Sequence, residues 1–161
     1  MARKVLSHIE LDRYLDEFAT QPDTFQRRAL ELIETFDKQS IDLEITDPAT
    51  WHRNGTPVTS ATIENQLRAD IDNILILDRE PEARLARRIE FARLRLEKLL
   101  AETGLSMTDL EHGVTGSPQS FIGQGTLTCS LPPKVCRRWA ELHALRTEMV
   151  ERNLYLVLIN V

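Results

Sequence analysis

Leu77-Asp78-Arg79-Glu80-Pro81-Glu82-Ala83-Arg84-Leu85-Ala86-Arg87-Arg88-Ile89-Glu90, continuing as Phe91-Ala92-Arg93-Leu94-Arg95-Leu96-Glu97-Lys98-Leu99-Leu100, reads as one long helix with a marked start. Asp78 stands where an N-cap carboxylate accepts from first-turn N–H groups, and Pro81 falls in that turn, where a missing N–H costs little. Glu80 and Glu82 add negative charge at the positive end of the helix dipole. Leu85, Ile89, Ala92, Leu96 and Leu99 recur at three- and four-residue steps and predict a buried stripe. Arg84, Arg87, Arg88, Arg95 and Lys98 lie largely off that stripe, which predicts a solvated basic face.

Upstream, Ser7-His8-Ile9-Glu10 has the form of a capping box and opens a first helix to about Ala19. Gln21-Pro22-Asp23-Thr24 breaks it, and a second helix runs to about Lys38 with Phe25, Leu30, Ile33 and Phe36 inside. The two read as an αα-hairpin. Ile41-Asp42-Leu43-Glu44-Ile45 alternates as a half-buried strand does, but no partner strand is evident, so residues up to Pro57 read as a linker anchored by Trp51. Asp47-Pro48 and Asn54-Gly55 mark turns there. Thr59 or Ser60 then caps a third helix, about Ala61 to Ile74.

Downstream, Thr103-Gly104-Leu105 ends the long helix and Ser106-Met107-Thr108-Asp109 offers a short helical turn. From Gly113 to Pro133 glycines and prolines are too frequent for a helix, so a long irregular loop is expected. Gly123-Gln124-Gly125 lacks the third glycine, the strand and the helix of a dinucleotide site. The last helix is expected from Val135 to Val161, its end, Leu154 to Ile159, apolar on every side. The fold class is therefore all-α, with about four to five helices and a long irregular loop before the last.

Charge is unevenly placed: the chain carries a net −5 overall, residues 1–78 a net −7, residues 79–98 a net +3 and residues 133–161 a net +2. An acidic leader ahead of a basic module either occupies the place of a phosphate backbone or simply solubilises. No signal-peptide core or membrane-length apolar run is present, which points to the cytoplasm. Cys129 and Cys136 lack zinc-site spacing, and His112 and His143 are not paired with them in sequence, so free thiols, no metal and no cofactor are expected. Neither a paired acid and base, a nucleophile triad nor a phosphate loop is visible, so no enzymatic activity is expected.

Leu77, Asp78, Glu80, Glu82, Leu85, Ala86, Arg88, Ile89 and Glu90 together resemble region 1.2 of bacterial RNA polymerase sigma factors of the housekeeping-like class. Arg146-Thr147-Glu148-Met149-Val150-Glu151-Arg152-Asn153-Leu154-Tyr155-Leu156-Val157-Leu158-Ile159 resembles the start of that family's region 2.1. The two matches follow in the family's order and cover about a quarter of the chain. Gln66-Leu67-Arg68 with Ile71 resembles a further stretch once one residue is inserted, although Asp72 and Leu75 stand where the family has Gly and Pro.

The resemblance implies an acidic helical leader and linker at 1–57, region 1.2-like helices at 58–103, a variable loop at 104–133 and the start of a region 2-like helix at 134–161, apparently truncated. It implies a transcription initiation protein or fragment that binds the RNA polymerase core and promoter DNA at the discriminator region. Arg68, Arg87 and Arg88 are then the candidate nucleic-acid contacts, and Asn153, Leu154, Leu156 and Val157 the residues that pack against the core enzyme or a partner. The competing readings are intrahelical ion pairs of Arg87 and Arg88 with Glu80 or Glu90, and a helical protein–protein interaction module or homo-oligomer that self-associates through its apolar C-terminal helix and binds no DNA.

Overall fold

The computed structural model describes residues 2–52, 62–115 and 128–156. Among these the order is β1 (Lys4–Leu6), α1 (His8–Ala19), α2 (Pro22–Lys38), β2 (Ile41–Leu43), a 3-10 turn at Pro48–Trp51, α3 (Ile63–Asp72), α4 (Arg79–Thr103), α5 (Met107–Gly113), β3 (Val114–Thr115), β4 (Thr128–Cys129) and α6 (Pro133–Arg152). The protein is predominantly helical, as expected. The six described helices slightly exceed the expected number, because Ser106 and Asp109 form a full capping box that starts α5.

Helix α4 is packed along two faces. On one, Phe91 and Leu94 join Leu11, Leu15 and Phe18 of α1 and Ala29, Ile33 and Phe36 of α2. On the other, Leu85, Ala92, Leu96, Leu99 and Leu100 meet Leu110 of α5 and Val135, Leu142 and Leu145 of α6. A helix apolar on one stripe lies at a surface, whereas two stripes place it between layers. Gly104 ends it at φ +71°, a left-handed cap that a residue with a Cβ adopts only at a cost.

The N-terminal hairpin forms for local reasons. The Ser7 hydroxyl accepts from the Glu10 N–H while the Glu10 carboxylate accepts from the Ser7 N–H, and Pro22 occupies the first turn of α2. The strand expected to lack a partner has one. β2 pairs in parallel with β1, Lys4 opposite Ile41, Val5 opposite Asp42 and Leu6 opposite Leu43. The helical hairpin is the crossover that a parallel pair requires, and a strand of three residues preceding a capping box leaves almost no alternation to read.

Two further expectations are corrected. α6 ends at Arg152 instead of running to Val161, with Asn153 as its C-cap. Cys129 and Cys136 are not free thiols: they form a disulfide seven positions apart, from β4 to the first turn of α6. Thr62 caps α3, its hydroxyl accepting from the Asn65 N–H. The turn at Asn54-Gly55, the cap expected at Thr59 or Ser60, the Gly123-Gln124-Gly125 stretch and Val157 lie outside the described residues. Among the described residues no helix is long and apolar enough to cross a membrane.

Candidate nucleic-acid interface

The basic residues of α4 at 84, 87, 88, 95 and 98 share one helical face with Phe91 and Leu94, since steps of three and four residues bring side chains into line. That face is the one α1 and α2 cover. Arg84 donates from Nε to Asp16 at 3.2 Å and pairs with Glu80 at 3.2 Å. Arg87 donates to the other Asp16 oxygen at 2.5 Å. Arg88 binds Asp12 through two parallel bonds, Nε to Oδ1 at 2.7 Å and Nη2 to Oδ2 at 2.6 Å. The acids sit one turn apart on α1, so a helix whose apolar side is Leu11, Leu15 and Phe18 also delivers Asp12 and Asp16 to the arginines.

Neither Arg87 nor Arg88 makes the intrahelical pair weighed from sequence. Glu80 pairs with Arg84 and Glu90 with Arg93 instead. Arg68 stands apart: it is exposed on α3 and shares no partner with Arg87 or Arg88. The net −7 of residues 1–78 thus has a partly local use, since two of its carboxylates pair with three cations of α4.

Among the C-terminal candidates, the Asn153 amide donates to the Met149 carbonyl at 2.7 Å and so closes α6. Leu154 is half-buried and Leu156 is exposed. Val157 lies outside the described residues.

Sequence reasoning missed the buried charges. Arg95, expected off the buried stripe, is 1% exposed. Its Nε donates to Asp37 at 2.9 Å and its Nη2 to the Ile41 carbonyl at 2.6 Å. Arg138 of α6 pairs with Asp42 and donates to Glu141 at 2.8 Å. Glu141 in turn accepts from the Leu43 N–H at 2.8 Å. The edge of β2 away from β1 is therefore closed by side chains in place of a third strand, which satisfies backbone groups that burial would leave costly. The guanidinium nitrogens Arg95 Nη1, Arg137 Nε and Arg138 Nε find no hydrogen-bond partner. Burial raises the Glu141 carboxyl above its ordinary range against the pull of Arg138 and Arg95, and burial together with Arg138 lowers Arg95.

A second polar cluster joins the first helix to the last. His8 is buried, its Nδ1 3.1 Å from the Thr46 hydroxyl, and its N–H donates to Glu44 at 2.6 Å. Burial, then the charge of Arg88, lowers its pKa, against Glu44 and Glu148. Nearby the Trp51 indole donates to Glu151 at 2.9 Å, and Arg152 bridges Glu148 and the Leu75 carbonyl. The three- and four-residue spacing of Arg88, Phe91 and Arg95 puts them on one helical face but does not say what covers it, so no sequence signal gave these groups away.

Among the described residues no group of three or more His, Cys, Asp or Glu side chains is placed to hold a metal ion. Comparison of the chain with protein-family models, with curated proteins and with solved structures gives no match.

Proposed function

We propose that the chain is a sigma-factor-like transcription initiation protein or fragment, non-enzymatic and cytoplasmic, that binds the RNA polymerase core and promoter DNA at the discriminator region. The observation that supports this reading is that the two stretches carrying the resemblance belong to one packed unit. Leu77, Leu85 and Ile89 of the first stretch share a core with Met149 of the second, so the two stretches are held against each other. Arg68, exposed on α3, is the contact available without rearrangement. Arg87 and Arg88 reach a phosphate only after exchanging Asp16 and Asp12 for it. Phosphate contacts of this kind give affinity and position and little sequence information.

The test is fluorescence anisotropy with forked promoter-like DNA, alongside capture of core polymerase by the full chain. Arg68→Ala weakens DNA binding uniformly across sequences and lowers the salt slope by about one unit. Absence of binding to both core and DNA at low salt overturns the reading.

A second reading, a helical interaction module or homo-oligomer without DNA binding, is favoured by a specific surface. Ile63 is 90% exposed and Leu67, one turn on, 49%, while Ile71 at the next turn is buried. Among the described residues the apolar stripe of α3 is covered only at its C-terminal end, and Val150 and Leu156 are exposed near the end of α6. Sedimentation of the chain at several concentrations, alongside the DNA titration, separates the readings: a dimer dispersed by Ile63→Lys, with no DNA binding by either form, supports the module.

A further inference from the structure

The disulfide joins two places with different jobs. Cys129 lies in β4, and Cys136 lies in the first turns of α6, seven positions later. The ring they close contains Ser130, whose N–H and hydroxyl both donate to the Gly113 carbonyl, at 2.9 and 3.2 Å. It also contains Leu131, which packs on the core between α4 and α6 and sits so close to Gly113 that a Cβ there would meet it at 2.5 Å. The ring thus fastens the end of α5 to the start of α6.

The start of α6 depends on that fastening. Its N-cap is Pro132, with no side chain to accept from the first-turn N–H groups. Directly after Cys136 come Arg137 and Arg138, which reach Asp42 on β2. Arg138, together with Glu141, ties this turn to Asp42 and the Leu43 N–H of β2, so the docking of α6 on β2 rests on a few buried polar contacts that depend on the position of the turn.

We propose that Cys129 and Cys136 form a thiol–disulfide exchange site, whose co-reactant is a cellular dithiol or glutathione, and that its state governs docking of the first turns of α6 on β2. Both residues are half-buried and neither belongs to the buried core. A reductant thiolate attacks Cys129 Sγ, the S–S bond breaks, and the electron pair leaves on Cys136 Sγ. That leaving thiolate is favoured by its place in the first turn of α6, at the positive end of the helix dipole. A second thiol then attacks the mixed disulfide, releasing Cys129. The protein gains two electrons and two protons, and the reductant departs as its disulfide. Oxidation by a small-molecule or protein disulfide runs the same steps backwards.

The full chain is equilibrated in glutathione buffers spanning reduced to oxidised ratios, quenched with a thiol-alkylating reagent and weighed, while hydrogen exchange is followed in parallel. The expected result is one reversible transition without denaturant, with exchange across residues 133–141 and 41–43 rising by about tenfold or more on reduction while α1 and α2 stay protected. The Cys129→Ser, Cys136→Ser variant behaves as the reduced form at every ratio. A bond that yields to glutathione only after denaturation overturns the proposal and leaves a static brace. Thiols that stay free at every ratio, or identical exchange in the two states, overturn it equally. Because the reduced wild-type chain is measured directly, the conclusion stands even if the variant does not fold.

Discussion

Arg88 and Asp12 face each other in a two-bond fork, at 2.7 and 2.6 Å, across the contact between α4 and α1. The fork is mostly shielded from solvent, and it lies beside Arg84 and Arg87 on Asp16. A carboxylate held this way takes the place that a phosphate would need. The same hairpin contributes Leu11, Leu15, Ile33 and Phe36 to a core shared with Phe91 and Leu94, so removing residues 1–57 would strip α4 of its apolar cover along with its acids. Single atoms are the better probe.

Asp12→Asn combined with Asp16→Asn keeps the shape of α1 and removes both charges. Under the proposed function, affinity for forked DNA rises and the salt dependence steepens by up to about three counterions, one for each released arginine. An unchanged salt slope at equal helical content shows that Arg84, Arg87 and Arg88 serve the fold alone.

Arg138→Ala leaves the buried Glu141 and the half-buried Asp42 without their main cation and costs about 3–5 kcal/mol. Arg137→Ala, at a more exposed and longer pair with Asp42, costs under about 1 kcal/mol. Urea unfolding of the two variants checks the contrast, and equal losses would show that the cluster is not organised around Arg138.

His8 titrates below its ordinary 6.5 in the folded chain, through burial and then Arg88. The unfolded chain therefore binds the proton first. Stability is fully present above pH 6.5 and falls as the pH drops below it, levelling once the folded-state pKa is passed. The groups facing His8 are Glu44 and Thr46 after β2, Arg88 on α4 and Glu148 on α6. His8→Gln flattens this part of the stability–pH curve, as followed by thermal melts from neutral to mildly acid pH.

Gly104→Ala places a Cβ in open space but at φ +71°. The cost is backbone strain of about 1–2 kcal/mol with no packing change. A loss of this size with an unchanged urea slope confirms the left-handed cap.

Replacing both cysteines with serine removes a short cross-link and lowers stability by about 2–3 kcal/mol on chain-entropy grounds. The denaturation midpoint of the variant, compared with that of the oxidised chain, measures this.

The residues of the chain by themselves determined the elements whose causes are local. Ser7 and Glu10 start α1, Pro22 starts α2, Gly104 stops α4, and the spacing of Leu85, Ala92, Leu96 and Leu99 marks one packed face. Each depends on groups within a turn or two of one another, which a linear reading sees. Tertiary structure alone decided what pairs with what across long separations. β1 meets β2 only because the helical hairpin returns the chain, and Val114 stands opposite Cys129 only in the folded β3–β4 pair. It also decided the character of the basic face. An arginine on a helix reads as solvated until a second helix brings a carboxylate against it, and Asp12, Asp16 and Asp37 do so for Arg88, Arg84, Arg87 and Arg95. Burial of a charge is set by the distant partner that compensates it, and neither the partner nor the burial is written in the spacing of the residue itself.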